Sequence, residues 1–445
     1  MLQKLLLAAL LLSACTAQEP TGKLLLKDVT LIDGTGSAPQ PHMEVLIAGD
    51  TIAAIGQGLD STGATVIALS GKTIMPALIS AHVHVGTVQG TTADASHYTR
   101  ENVLRQLKRY QAYGVLQVLG MGTDRPLLFE NGFYDSLRTG SLPGARYHSA
   151  GYGFAAPGGT PPPVNGMDRV NRPANPEQAQ RQVDSLAALS VQTIKMWVDN
   201  HGGMPGMDAA VSRALIQAAH RHGMKAAAHL YYIQDAKQLV ADSIDIIAHS
   251  IRDREIDDTL LQQIKSQGIM YIPTLALDKF AYSYGEAPPW LNDAFFKQSL
   301  EPGTWEMVAD TAYQRKTRES GGYARSRAAH LTALKNVYKI HKAGIPVVLG
   351  TDSGASAVRA QGFSEHLELA LLVEAGLTPL EAITAATANA AKALRIDGRY
   401  GTLGVGKVAD LLILDKDPSA DIVNTRGIAA VYKAGKEVSK GPAGE

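Results

Sequence analysis

Short apolar segments alternate with longer amphipathic segments across the middle of the chain, from residue 75 to residue 395. Short apolar runs are typical of buried parallel strands, and apolar positions three and four residues apart are typical of helices. The predicted strands are residues 79–84, 114–119, 145–150, 191–197, 225–229, 244–249, 269–273 and 345–351. The predicted helices are residues 101–113, 176–189, 208–222, 235–241, 258–267, 323–343 and 365–375. Strands that alternate with helices in this way predict an α/β fold, a (β/α)8 TIM barrel.

Both ends of the chain have a different pattern, in which short strands alternate with turns. Hairpins of this length need another surface to cover their apolar face, and each chain end can provide it for the other. We therefore predict a small β-sandwich formed by residues 23–74 and 396–445, with the barrel of residues 75–395 inserted between its two parts. The predicted sandwich strands are residues 24–33, 43–47, 51–55, 65–69, 409–415, 428–433 and 436–438.

The first residues have the pattern of a secretory signal. Lys4 precedes an apolar run over residues 5–12 that is too short to span a membrane as a stable helix. We therefore predict a signal peptide at residues 1–14, followed by a tether over residues 15–22.

Cys15 is the only cysteine of the chain, and the preceding Leu12-Ser-Ala makes the segment resemble a bacterial lipobox. This resemblance implies that Cys15 is lipidated and that the protein is anchored in the periplasm by its lipid. Thr16, where an aspartate would indicate the inner membrane, implies the outer membrane. The alternatives are a free thiol or an incidental residue of a cleaved signal.

The charge of the chain is balanced, with 42 basic and 42 acidic residues in 445. Nucleic-acid-binding proteins carry a basic excess, so this composition argues against a nucleic-acid partner. The partner that we expect is a small-molecule substrate. A homo-oligomer remains compatible with the sequence.

Polar residues close several of the predicted strands. His82 and His84 are two residues apart, so a strand directs both imidazoles to one face. Further along the chain, Lys195, His229, His249 and Asp352 each close a short apolar segment. Strands of a barrel end on one rim, where active sites are built, and imidazoles with a carboxylate can hold one or two divalent ions. The sequence therefore predicts a catalytic metal site.

This ordered set resembles the amidohydrolase superfamily of metal-dependent hydrolases, and the stretch 401–411 is similar to the segment that leads into the last strands of that family. His229-Leu-Tyr231 and Gly350-Thr-Asp352 are close to the branch of imidazolonepropionase-like and bacterial prolidase-like proteins. One departure precedes the first ligands. The usual Pro-Gly-Leu-Ile-Asp is Pro76-Ala-Leu-Ile-Ser80 here, which removes a carboxylate at Ser80.

The resemblance implies two divalent ions, with zinc as the expected metal, and a carboxylated Lys195 (N6-carboxylysine) that bridges them. It assigns His82, His84 and Asp352 to the more buried ion, and His229 and His249 to the more exposed one. It further implies that a bridging hydroxide attacks the substrate, that Asp352 transfers the proton to the leaving amine, and that Tyr231 assists at the carbonyl oxygen.

The expected activity is hydrolysis of an amide C–N bond, in a dipeptide or an N-acyl amino acid. A lactone, ester or cyclic-amide hydrolase and a mononuclear deaminase are alternatives on the same fold. A ligand-binding lipoprotein without catalysis is the alternative of another class.

A long insert near residues 274–322 holds an unusual share of the aromatic residues. These aromatics predict either a lid over a bulky or apolar substrate, or an anchor that holds the insert against the barrel wall. They are Phe280, Tyr282, Tyr284, Trp290, Phe295, Phe296, Trp305 and Tyr313.

Overall fold

A computed structural model describes residues 22–444 of the chain. The predicted signal peptide, Cys15 and the predicted tether up to residue 21 lie outside the described residues and stay predictions. Every helix of the described part is too short or too polar to cross a bilayer.

The strands of residues 22–444 are numbered β1 to β17 in chain order. They are β1 Lys23–Leu31, β2 Gln40–Ala48, β3 Thr51–Gly56, β4 Ala64–Ala68, β5 Thr73–Pro76, β6 Leu78–Val83, β7 Val88–Gln89, β8 Thr92–Ala93, β9 Val115–Gly120, β10 Arg146–Ser149, β11 Thr193–Trp197, β12 Lys225–His229, β13 Ile246–Ala248, β14 Met270–Ile272, β15 Leu411–Leu414, β16 Ile428–Lys433 and β17 Lys436–Ser439.

The α-helices of the same residues are numbered α1 to α14. They are α1 Arg100–Ala112, α2 Phe133–Thr139, α3 Pro176–Ala187, α4 Ala209–Arg221, α5 Ile233–Ala241, α6 Asp258–Ser266, α7 Leu275–Ser283, α8 Ala294–Lys297, α9 Thr304–Ala309, α10 Thr311–Arg318, α11 Tyr323–Lys342, α12 Phe363–Glu374, α13 Pro379–Ala386 and α14 Ala388–Leu394.

Strands from both chain ends pair in one sheet. Its order is β17-β16-β15-β5-β1-β2-β3, and β4 pairs with the first half of β1. The apolar run that precedes the first histidines is divided at Ala77, because β5 pairs with β15 of the C-terminal segment whereas β6 pairs with β9. Residues 75 and 76, which we assigned to the barrel, therefore lie in the terminal sheet.

The middle of the chain forms two parallel sheets, β10-β9-β6 and β11-β12-β13-β14. A single bridge from Phe154 to Met196 connects them on one side. On the other side, residues 345–353 make single bridges from Val347 to β14 and from Ser353 to β6. This segment occupies the position of an eighth barrel strand.

The predicted strand at residues 345–351 is not a regular strand. Pro346 cannot donate a backbone hydrogen bond, and proline is poorly tolerated inside a ladder. The segment is nevertheless bonded on both sides, since Val348 N donates to Tyr271 O at 2.9 Å and Ala81 N donates to Leu349 O at 2.9 Å.

The aromatic insert is folded as helices α7 to α10 and is packed against the body of the protein. Phe280, Tyr284 and Phe296 are buried in the main core, and Trp290, Phe295, Trp305 and Tyr313 pack partly buried against it. The ring of Phe296 lies 4.9 Å from that of Phe363 in α12. This packing supports the anchoring role of the aromatics.

Candidate metal centre

The predicted ligands meet at the carboxyl ends of the parallel strands. His82 lies in β6, Lys195 in β11 and His229 at the end of β12, while His249 follows β13 and Asp352 lies in the bridged segment of residues 345–353. The side chains of His82 and Lys195 are fully buried. A parallel sheet brings these strand ends to one edge, so residues far apart in sequence become neighbours.

The centre of the cluster is formed by His82, His249 and Asp352, whose candidate ligand atoms all lie within 4.8 Å of one another. Asp352 Oδ1 lies 3.1 Å from His82 Nε2 and 2.8 Å from His84 Nε2. Lys195 Nζ lies 3.4 Å from His82 Nε2. His84 and Lys195 therefore border the central group directly.

His229 lies at the edge of this cluster. Its ring centroid is 4.4 Å from that of His249, and its Nε2 is 3.0 Å from Asp199 Oδ2. Asp199 was not identified from the sequence. It lies two residues after Trp197 and four after Lys195, and side chains at this spacing point to the same face of a strand.

Threonine hydroxyls hold two of the imidazoles. His84 Nδ1 lies 2.7 Å from Thr123 Oγ1, and His249 Nδ1 lies 2.7 Å from Thr274 Oγ1. Such contacts on the second ring nitrogen fix the orientation of a ligating histidine. Neither threonine was identified from the sequence, where their only distinction is that they follow β9 and β14.

The backbone of the centre is strained at three residues other than glycine. His249, Thr274 and Asp352 have φ angles of 75°, 49° and 60°. Positive φ is unfavourable for residues with a Cβ, and it persists where the surrounding contacts enforce it, often at functional sites. Gly350 is also required, since a Cβ there would lie 2.7 Å from the Cβ of His82.

A buried carboxylate lies behind the first histidines. Glu365 Oε1 accepts hydrogen bonds from the hydroxyls of Ser80 (3.1 Å), Thr351 (2.7 Å) and Ser353 (3.0 Å). Its Oε2 accepts a bond of 2.9 Å from Gly362 N. Burial raises the pKa of Glu365, against the effect of these donors. Position 80 has a serine in place of the usual aspartate, and this serine contacts the buried carboxylate of Glu365.

Burial controls the charge of the basic residues. It lowers the pKa of His82 to about 3 and that of His249 well below its usual value. The pKa of Lys195 falls to about 7, again mainly by burial. Burial in the protein interior therefore leaves a large fraction of the Lys195 amine neutral near neutral pH.

Asp352 is the anionic member of the cluster. Burial alone would raise the pKa of Asp352, but Arg359, His82 and His84 hold this pKa well below the usual value. Arg359 forms an ion pair with Asp352 Oδ2 and was not identified in the sequence. Asp352 therefore carries a negative charge at neutral pH.

Tyr231 lies just outside the cluster. Strand β12 ends at His229, so Tyr231 lies two residues beyond the strand. Its half-buried ring lies 5.1 Å from the guanidinium carbon of Arg252.

The donor set fits a divalent ion. Neutral imidazoles and one carboxylate are the ligands that zinc and similar ions take in proteins. His82 Nδ1 is buried and has no hydrogen-bond partner among residues 22–444. The centre thus combines buried imidazole nitrogens with the carboxylate of Asp352.

Known proteins share parts of this sequence. Ochratoxinase of Aspergillus niger is 28% identical over 242 residues, 53% of this chain and 40% of that protein. Imidazolonepropionase of Deinococcus deserti is 43% identical over 102 residues, 22% of this chain and 24% of that protein. The chain spans less than half the length of either of these curated relatives.

Solved structures share the fold over nearly the whole chain. A crystal structure of a Xaa-Pro dipeptidase with bound methionine has a TM-score of 0.74 at 23% identity, covering 94% of this chain and 99% of that one. The crystal structure of A. niger ochratoxinase has a TM-score of 0.73 at 18% identity, covering 95% and 98%. They show a TIM-barrel-like α/β fold with a β-sandwich. Residues 73–438 match the Amidohydrolase family, and the chain belongs to that family.

Proposed function

We propose that this protein is a metal-dependent hydrolase of an amide C–N bond. The observation that supports this most directly is the convergence of His82, His249 and Asp352 within 4.8 Å, bordered by three further predicted ligands. A binding protein without catalysis has no need for so many buried metal-type donors in one place.

In this proposal two divalent ions, preferably zinc, are held by the six predicted ligands. His82, His84 and Asp352 would hold one ion, His229 and His249 would hold the other, and Lys195 would contribute to both. Ions held in this way supply a nucleophilic water at neutral pH and polarise the substrate carbonyl.

Lys195 would contribute as a carbamate. Since its pKa is about 7, a large fraction of the amine is neutral near neutral pH. The nitrogen lone pair can then form a bond to the carbon of CO₂, with loss of one proton. The product is an anion with two oxygens, and carboxylate oxygens are ligands that divalent ions such as zinc accept.

Asp352 would transfer the proton. It is anionic at neutral pH, and its Oδ1 already lies within 3.1 Å of the imidazoles that surround the proposed reaction centre. It would accept the proton of the attacking water and deliver it to the nitrogen of the leaving amine. Tyr231, on the rim, would donate a hydrogen bond to the substrate carbonyl.

We propose dipeptides or N-acyl amino acids as the substrate class. One structural neighbour is named as a Xaa-Pro dipeptidase, and one relative as ochratoxinase.

The test combines metal removal with a panel of substrates. Hydrolysis of dipeptides and N-acyl amino acids should be abolished by a chelator and recovered with Zn²⁺ plus bicarbonate. Lys195→Ala should reduce both activity and the number of bound ions, while Lys225→Ala at the amino end of β12 should leave both unchanged. Hydrolysis that is indifferent to chelator and bicarbonate would overturn the proposal.

A further inference from the structure

A basic cavity lies between the terminal sheet and the amino ends of β9 and β10. It has a volume of about 1080 Å³, and its walls come from the start of β1, the turns β2–β3 and β16–β17, and the loop before β10. Among its charged lining residues one is acidic, Asp50, and five are basic: Lys23, Arg146, Arg399, Lys433 and Lys436. The whole chain has as many acidic as basic residues, so this positive excess is local.

Two of these cations are buried in the wall of the cavity. Lys433 is 8% exposed, and its Nζ donates hydrogen bonds to three carbonyl oxygens of residues 140–144, at 2.8 to 3.3 Å. Burial and the charge of Arg146 lower the pKa of Lys433 to about 8, so Lys433 is predominantly protonated at pH 7. Arg146 is 4% exposed and forms an ion pair with Asp410, which lies outside the lining. Asp410 offsets one of the two charges, so the wall stays positive.

Arginine side chains converge on Tyr400, which also lines the cavity. The guanidinium carbons of Arg146 and Arg399 lie 4.9 and 5.5 Å from the centroid of its ring. Arg399 contacts Asp50 at 3.9 Å, and both side chains of this pair are exposed. Exposed ion pairs contribute little, so this contact compensates the positive charge weakly. Positive charges gathered in this way attract an anion.

The cavity lies at the end of the parallel strands that is opposite the metal centre. Arg146 is the first residue of β10, whereas the predicted metal ligand His229 is the last residue of β12. A partner bound at the cavity therefore leaves the metal centre accessible to a substrate.

The start of the described chain indicates which anionic partner is near. The first described residues, Gly22 and Lys23, line the cavity as well. The predicted lipidation site, Cys15, is seven residues before Gly22. Because an extended chain spans at most about 3.6 Å per residue, seven residues reach no further than about 25 Å. A lipid on Cys15 would therefore keep the cavity near the membrane surface.

We propose that this cavity binds an anionic membrane surface, with Lys23, Arg399 and Lys436 contacting the phosphate groups of the lipids. The three side chains are exposed at the cavity, and each lysine or arginine near an anionic surface strengthens binding roughly fivefold. The metal centre then faces away from the membrane. The inference does not depend on the proposed hydrolase activity, since it uses no residue of the metal centre.

Binding to vesicles tests the cavity without the lipid anchor. Residues 16–445 contain the whole described part of the chain, and this protein is mixed with two kinds of vesicle. One kind contains phosphatidylglycerol and phosphatidylcholine in equal parts, and the other contains phosphatidylcholine alone. Co-sedimentation at about 0.1 M salt should show at least roughly tenfold stronger binding to the anionic vesicles, and about 1 M salt should abolish this difference. Equal binding to both kinds of vesicle at the lower salt concentration would overturn the inference.

Two triple variants locate the effect. The variant with Lys23→Gln, Arg399→Gln and Lys436→Gln should bind the anionic vesicles no better than the phosphatidylcholine vesicles. These side chains are exposed, so its circular dichroism spectrum should match that of the wild type. The matched control, which should bind like the wild type, has glutamine at three exposed basic positions of α10 and α11 outside the lining, Arg315, Lys316 and Arg327. Unchanged binding of the first variant, or an equal loss in both, would overturn the assignment to this cavity.

Inorganic phosphate distinguishes a membrane from a soluble phosphate compound. Millimolar phosphate at constant ionic strength should leave vesicle binding of the wild-type protein unchanged, and calorimetric titration should show no saturable phosphate binding. Saturable binding that displaces the protein from the vesicles would assign the cavity to a soluble phosphate compound and overturn membrane binding.

Discussion

Removal of the Glu365 carboxylate tests how the first two histidines are held. In Glu365→Ala, the hydroxyls of Ser80, Thr351 and Ser353 and the N–H of Gly362 lose their common acceptor. A lost hydrogen bond costs about 1 kcal/mol, so four of them predict a loss of about 4 kcal/mol in the free energy of unfolding. This is at the upper end of single-substitution effects.

The same substitution should weaken metal binding. Ser80 lies in the strand of His82, and Thr351 and Ser353 flank Asp352, so the carboxylate fixes the backbone on both sides of the centre. Loss of groups that orient metal ligands reduces metal affinity by roughly 10–100-fold. Glu365→Gln keeps one oxygen acceptor and should cost less than half as much stability as Glu365→Ala.

The assay is urea unfolding followed by tryptophan fluorescence, together with competition for Zn²⁺ by a chelating dye. Glu374→Ala at the exposed end of the same helix is the control, and its free energy of unfolding should stay within about 0.5 kcal/mol of wild type. If Glu365→Ala matches this control in both stability and zinc affinity, the reasoning about the buried carboxylate is refuted.

Three other substitutions give independent tests. Burial raises the pKa of Glu368 to about 8. The folded state therefore binds more protons than the unfolded state between about pH 4.3 and 8. The free energy of unfolding should fall as pH rises through this range, by up to about 1.4 kcal/mol per pH unit. Glu368→Gln should flatten this dependence in unfolding titrations; an unchanged slope would contradict the assignment. Thr274→Val removes the hydroxyl that lies 2.7 Å from His249 Nδ1 and should lower zinc affinity roughly tenfold in the dye competition, without a change in circular dichroism. For localisation, Cys15→Ser should move the full-length protein from the membrane fraction to the soluble fraction, and retention in the membrane would reject lipid anchoring.

Seven helices between residues 75 and 395 were predicted from the sequence, whereas α2, α13 and α14 were not. The pattern predicted helices at residues 208–222 and 258–267, and the structure has α4 Ala209–Arg221 and α6 Asp258–Ser266. Apolar spacing is a local property, so it does not depend on how the rest of the chain folds. The insert near residues 274–322 was predicted, but its helices α7 to α10 were not.

The principal polar residues of the site were also visible in the sequence. His82, His84, Lys195, His229 and Asp352 each occur at the end of an apolar run, where a parallel sheet exposes its carboxyl edge. Whether they serve as ligands remains a prediction, but their convergence follows from the strand order.

Only the tertiary structure could reveal the groups that hold and surround these residues. Ser80 and Glu365 are separated by 285 residues, and their hydrogen bond forms only in the folded chain. Burial likewise, and not the residue type, brings the pKa of Lys195 to about 7. The sequence determined which chemical groups are present and on which element each lies. The folded chain decided which of them lose water and meet, because desolvation and long-range contacts exist only in three dimensions.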